Sequence, residues 1–197
     1  MLIFKYVVFC TSIFFTGTRT SWALNKHSDA QTSDLIRKFH QNDYKMEFER
    51  LEVVDFNKQH MKRLEIVTFK YNCTCTVINA TWMFNTDVGY DYNVVTQAYK
   101  FASNEYRLFP LRLQLNGCEA FCENVGGLKR LTCGNLTGCP ILKNKLQTIC
   151  NWSPDPARFL PFIPDGKYML ELQGFFQTSE LYRLRFYASV YCAIGIN

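Results

Sequence analysis

The side chains in this chain best equipped for chemistry are its thiols. Of nine cysteines, Cys10 lies near the start, and Cys73, Cys75, Cys118, Cys122, Cys133, Cys139, Cys150 and Cys192 follow it. Two chemistries compete for such a set: metal ligation, and oxidation to disulfides. Cys118 with Cys122 and Cys133 with Cys139 are spaced like ligand pairs, but no histidine stands near them to complete a tetrahedral site. An even set in one mid-sized chain is read more economically as four bridges formed in an oxidising compartment, with no metal and no cofactor. Spacing alone does not give the connectivity.

Other residue types narrow the functions further. The three histidines are His27, His40 and His60, all ahead of most of the chain, and no serine sits in a nucleophile-elbow context. A His-assisted acyl transfer is therefore hard to assemble, and no catalytic residue is assigned. Asn72-Cys73-Thr74, Asn79-Ala80-Thr81 and Asn135-Leu136-Thr137 are glycan acceptor sequons, so Asn72, Asn79 and Asn135 are the candidate sites; Asn151-Trp152-Ser153 is followed by Pro154 and is the poorest.

The first residues look like a targeting segment. Lys5 supplies a positive charge, residues 7–15 a short apolar stretch, and Ser21-Trp22-Ala23 small residues at a cleavage site, so 1–23 is read as a signal peptide cut after Ala23. The alternative is an uncleaved anchor, for which the apolar run is short. Its removal takes Lys5 and Arg19, leaving 20 Lys and Arg against 17 Asp and Glu, a net +3. That charge is mild and scattered, unlike the basic stripe that tracks phosphates, so nucleic acid is not a partner. With 17 Phe and 11 Tyr the chain is rich in aromatic core material.

The elements that would position these groups are strands. Residues 24–45 are polar, with only a faint helical rhythm at Leu35, Ile36 and Phe39, and read as a flexible arm; 46–197 reads as one domain. Within it, segments 46–56, 62–70, 73–84, 90–101, 106–115, 168–176 and 180–191 are rich in Val, Ile, Phe, Tyr and Thr and are separated by Asn, Asp and Gly. Alternation orients them. Ile78, Ala80, Trp82 and Phe84 share one parity and face inward, because a glycan on Asn79 must face water. Leu184, Phe186, Ala188 and Val190 alternate with Arg183, Arg185, Tyr187 and Ser189; Tyr168, Leu170, Leu172 and Phe176 alternate with Met169, Glu171 and Gln173, and a hairpin at Gln177-Thr178-Ser179 joins the two. Cys118, Phe121, Cys122 and Val125 fall on one face of a short helix that stops at Gly126-Gly127. Its two sulfurs should bridge outward and fasten the helix across the open end of the sheets. Leu142, Leu146 and Ile149 fit either a second helical turn or a strand. The fold class is all-β, an immunoglobulin-like antiparallel sandwich with a disulfide-fastened helical insertion.

The order of several motifs carries a resemblance. The stretch from Tyr71-Asn72-Cys73-Thr74-Cys75 through Asn79-Ala80-Thr81, the acidic turn around Asp87 and Asp91, Cys118, Cys139-Pro140, and Pro164-Asp165-Gly166-Lys167-Tyr168 before an alternating strand resemble secreted insect proteins of the chemosensory CheA/CheB type, a DUF1091-like group. The likeness spans roughly 46–191. That group is similar to the MD-2-related lipid-recognition and ganglioside-activator proteins, whose two sheets part to admit an apolar ligand. Where the group has Lys-Gly and a Tyr after Cys-Pro, this chain has Lys143-Asn144 and no aromatic; Asn144 can take the left-handed backbone that Gly would. Cys73 and Cys75 stand where relatives have Arg or Thr, which implies an extra bridge of this chain's own.

The resemblance implies a secreted carrier of an apolar small molecule, a lipid or hydrocarbon signal in pheromone or chemosensory perception, with a membrane receptor as a further partner. By strand parity Trp82, Phe84, Phe109, Phe176 and Phe186 are the pocket candidates. Two other readings stay open: these rings simply fill a core, as aromatics ordinarily do, and the chain is an extracellular protein-interaction module with no small ligand.

Overall fold

The structure is a computed structural model and describes residues 39–73, 75–129 and 133–192. The expected leader and the first part of the arm lie outside these residues. Nine strands are described: β1 (Tyr44–Phe56), β2 (Met61–Lys70), β3 (Thr76–Phe84), β4 (Tyr92–Ala102), β5 (Glu105–Asn116), β6 (Cys133–Gly134), β7 (Gln147–Trp152), β8 (Gly166–Phe176) and β9 (Ser179–Cys192), with one short helix, α1 (Gly117–Cys122), between β5 and β6. They form two antiparallel sheets, one in the order β1-β9-β8-β4-β5 and one in the order β2-β3-β7-β6. The all-β sandwich expected from alternation is the fold observed.

Each sheet has one face of apolar side chains, as the period of two demands, and these faces meet. Phe48 and Leu51 of β1, Ile78 and Ala80 of β3, Ile149 of β7, and Phe186 and Ala188 of β9 form the central core. A second cluster of Met61, Phe84, Val88 and Leu181 fills one end. The sandwich is closed along one side where β1 and β2, edge strands of different sheets, meet: the Thr68 hydroxyl donates to Leu51 O and accepts from Leu51 N, at 3.2 and 3.1 Å. Tight turns are made by residues that tolerate left-handed backbone. The β4–β5 hairpin turns at Ser103 and Asn104, with φ of 53° and 65°, the geometry that matches strand twist. Asn144 has φ 55°, as the comparison with Gly anticipated.

Several expectations change. Of the two readings left open for the segment with Leu142, Leu146 and Ile149, the strand is the one formed: from Gln147 it is β7, paired with β3. α1 ends at Cys122 rather than at Gly126-Gly127, because Asn124 already turns into the left-handed region at φ 59° and the chain continues as a 3-10 turn at Val125–Gly127. The helix begins with Asn116 capping: its side chain accepts from the backbone N–H of Cys118 and Glu119. The described end of the arm, residues 39–43, is packed down, with Phe39 and Gln41 buried, and β1 already begins at Tyr44.

Among the described residues two bridges form, not four. Cys118 pairs with Cys139 and Cys133 with Cys150, each with Cα atoms 5.5 Å apart. Cys73, Cys75, Cys122 and Cys192 are free. Cys75 N donates to Asn72 Oδ1 in the β2–β3 turn, Cys122 O accepts from Lys129 Nζ, and Cys192 N donates to Asp165 Oδ1. The extra bridge expected of Cys73 and Cys75 is therefore absent, and of the two sulfurs on α1 only the buried Cys118 fastens the helix. Exposed Cys122 ends it.

Candidate functional site

Between the sheets lies a cavity of about 410 Å³. Its walls are the inward parities of the strands: Ile78, Ala80, Trp82 and Phe84 from β3, Leu170 and Leu172 from β8, Leu184, Phe186 and Val190 from β9, and Leu111, Leu113 and Leu115 from β5. No charged side chain is among the described residues that line it. Ala120 and Phe121 of α1, with Val125 and Gly126 of the 3-10 turn, cover it from the insertion, which the Cys118–Cys139 bridge ties to the chain beyond. Gly138, at φ 85°, leaves room for the Phe121 ring, which would lie 2.7 Å from a Cβ there.

A strap and a loop complete the closure. Phe39 and Leu115 form a small cluster against which Leu113, Ala120, Val125 and Leu160 pack, so that the end of the arm, β5, α1 and the 159–164 loop meet there. Gln41 N donates to Ala157 O at 3.2 Å and Gln41 Nε2 to Pro156 O at 2.7 Å. The Tyr44 hydroxyl donates to Leu160 O at 2.7 Å, and Asp43 Oδ2 accepts from Phe162 N at 2.7 Å. Leu160 and Ile163 line the cavity, while Phe162, at φ 61°, is 85% exposed.

The polar atoms on the lining are largely occupied. The Tyr168 hydroxyl donates to Pro164 O at 2.8 Å and Trp152 Nε1 to Gly127 O at 3.4 Å. Tyr92 and Tyr182 bond to one another through their hydroxyls. Burial drives the Tyr92 hydroxyl pKa well up, aided by Tyr182, and burial likewise raises that of Tyr182. Tyr44 is raised mainly by burial and then by the neighbouring Asp43 carboxylate. All three stay neutral at ordinary pH and add no charge to the cavity wall.

Among the ring candidates, Trp82, Phe84 and Phe186 are on the cavity wall and Phe109 and Phe176 are not. Phe109 sits at a bulge where Ala98 of β4 faces extra residues of β5; Gln97 Nε2 donates to the freed carbonyls of Phe109 and Leu111, and Pro110 between them needs no N–H partner. The Phe109 ring packs edge-on against Tyr168, with centroids 5.5 Å apart. Phe176 packs at the filled end with Met61 and Val88, where a register shift after Gly174 brings both Leu181 and Tyr182 inward. Sequence reasoning missed Tyr92, Tyr182 and the strap. A signal for the tyrosine pair lay in Gly117 and Gly174, glycines next to or within strands with no turn to make. The candidate glycan residues Asn72, Asn79 and Asn135 are exposed, and Asn79 Oδ1 accepts from Asn151 N at 2.8 Å.

A family model described as "Protein of unknown function (DUF1091)" matches residues 93–170, from β4 into β8 and less than half of the chain. No curated protein matches by sequence. Among solved structures, a Niemann-Pick type C2 protein from Japanese carpenter ant is similar at 12% identity, covering 75% of this chain and 94% of that one, with a TM-score of 0.30. At that score the likeness carries no argument, and the two sheets rest on this chain's own strand pairing. Among the described residues no group of three or more His, Cys, Asp or Glu could hold a metal, and no helix is long and apolar enough to cross a membrane.

Proposed function

We propose that this chain is a secreted, non-catalytic binding protein that sequesters or presents an apolar ligand in the cavity between its sheets. The observation that carries the reading is the space of about 410 Å³ walled by largely apolar side chains with no charge among the described lining residues. Ligand pockets run from roughly 300 to 1,000 Å³, and a dry apolar void of this size takes up hydrocarbon in preference to water. Burying about ten methylenes of an acyl chain contributes roughly 8 kcal/mol gross, equal to a Kd near micromolar before the cost of association is subtracted. The disulfides fit an oxidising, extracellular setting. The finer form of the reading is a lipid or hydrocarbon signal in insect pheromone or chemosensory perception, collected by a membrane receptor; it rests on the order of motifs in the sequence, and the partial DUF1091 match agrees with the DUF1091-like character of those motifs alone. Glycans on Asn72, Asn79 and Asn135 belong to the same proposal.

Native mass spectrometry of the protein secreted from eukaryotic cells and deglycosylated, followed by organic extraction, tests this. A stoichiometric lipid or hydrocarbon that is lost in folded Trp82→Asp or Phe186→Asp variants is the expected result. A mass that stays bare after incubation with lipid and hydrocarbon panels overturns it.

One observation favours a second reading, an extracellular protein-interaction module. The outer face of the five-stranded sheet carries Tyr187, Met169, Tyr99 and Leu108 in one row across four strands, with Leu108 69% and nearby Phe101 41% exposed. Under that reading the cavity stays empty and Leu108→Asp abolishes partner capture.

A further inference from the structure

Tyr92 on β4 and Tyr182 on β9 belong to strands that are not neighbours, because β8 runs between them. Their hydroxyls nevertheless meet. Two glycines make this possible: a Cβ on Gly174, the β8 residue opposite Tyr182, would lie 2.4 Å from Cζ of that ring, and a Cβ on Gly117 would lie 2.1 Å from Cε1 of Tyr92. Each ring therefore lies flat over a bare stretch of backbone, and the two close at 6.5 Å between centroids with their oxygens hydrogen-bonded. Both rings line the cavity.

The hydrogen count of this pair is unbalanced. Two phenols carry two O–H hydrogens, and the bond between them consumes one. Neither oxygen makes another hydrogen bond among the described residues. One donor hydrogen is therefore left on a hydroxyl of the pair, whereas the Tyr44 and Tyr168 hydroxyls and Trp152 Nε1 on the same wall each donate to a carbonyl, and an unmet donor out of water is costly. An acceptor oxygen on a ligand would satisfy it. That acceptor should be neutral, because among the described residues no cationic side chain lines the cavity to offset a carboxylate stripped of water.

We propose that the Tyr92–Tyr182 hydroxyl pair is a polar anchor that donates a hydrogen bond to one neutral ligand oxygen, so that the cavity selects an oxygenated long-chain lipid such as an ester, ketone or alcohol over plain hydrocarbon and over free fatty acid. This rests on the cavity-binding reading above and adds the class of ligand to it.

The test is competition of dodecane, 2-dodecanone, methyl dodecanoate and dodecanoate against a fluorescent naphthylamine probe, on wild-type protein and on Tyr92→Phe, Tyr182→Phe and the double variant. Phe keeps both rings, and thermal unfolding verifies the fold. Wild type should prefer the ketone and ester over dodecane by about tenfold, each single variant should keep part of the preference, and the double variant should lose it while binding dodecane as before. The carbonyl stretch of bound 2-dodecanone, read by infrared difference, should move to lower frequency in wild type and return in the double variant. Equal binding of ketone and alkane by wild type overturns the anchor and leaves the cavity reading standing. So does a preference that survives in the double variant and disappears in Thr96→Val, which removes another hydroxyl from the lining. Failure of every compound to displace or bind overturns both.

Discussion

Phe186 shows what a single ring does here. It stacks on Phe48 with centroids 5.0 Å apart, lies 6.1 Å from Phe159, and also forms part of the cavity wall. Phe186→Ala should cost about 3–5 kcal/mol, seen as a lower urea midpoint with an unchanged slope. The glycines under the tyrosines make a sharper test of packing. Gly174→Ala places a methyl inside the Tyr182 ring and should cost about 1–3 kcal/mol, and combining it with Tyr182→Leu should recover part of that loss. Trp82, Phe84 and Phe186 were legible on the cavity wall because they lie on regular stretches where parity holds. Phe109 was not, since a bulge around Pro110 re-aims its strand, and bulges leave little trace in alternation.

At the scale of elements, the cavity is closed by pieces that are weak alone. α1 has six residues, too few to be stable without its cap and its bridge. The Cys118–Cys139 bridge spans 21 residues, and replacing both thiols by serine should cost about 3 kcal/mol and raise hydrogen exchange across the insertion before the sheets. Replacing the free Cys73 and Cys75 should leave the unfolding midpoint nearly unchanged. The strap is held by side-chain hydrogen bonds from Gln41, Asp43 and Tyr44. Gln41→Ala should speed exchange at 156–162 while β8 and β9 keep their protection, as measured by deuterium uptake. The strap was hidden because its chain neighbours are polar: Phe39 and Tyr44 carry no periodicity that announces a partner more than a hundred residues away.

For the molecule as a whole, the neutral tyrosines set a pH limit. Tyr44, Tyr92, Tyr168 and Tyr182 all have folded-state pKa values raised above the usual value near 10, each chiefly by burial. Below about pH 10 folded and unfolded chains hold the same phenolic protons, and this contribution to stability is fully present. Above it the unfolded chain releases protons that the folded chain retains, so stability falls as pH rises. The thermal midpoint should be flat in this respect from about pH 7 to 9 and drop beyond 10, and Tyr92→Phe with Tyr182→Phe should flatten the drop.

Local chemistry, by itself, determined the strand-rich class and the inward parity of β3, β8 and β9, because each follows from side-chain spacing along a few residues. The match between these local patterns and the observed sheets is close: the seven expected segments correspond to β1–β5, β8 and β9. Only the tertiary structure decided which cysteines meet, that Gln147–Trp152 joins the second sheet, that the arm's end becomes a strap, and that two tyrosines cross β8 to touch. Those outcomes depend on three-dimensional distances between residues far apart in the chain. A pattern with a period of two or 3.6 reports which way a side chain points and not what it will find there.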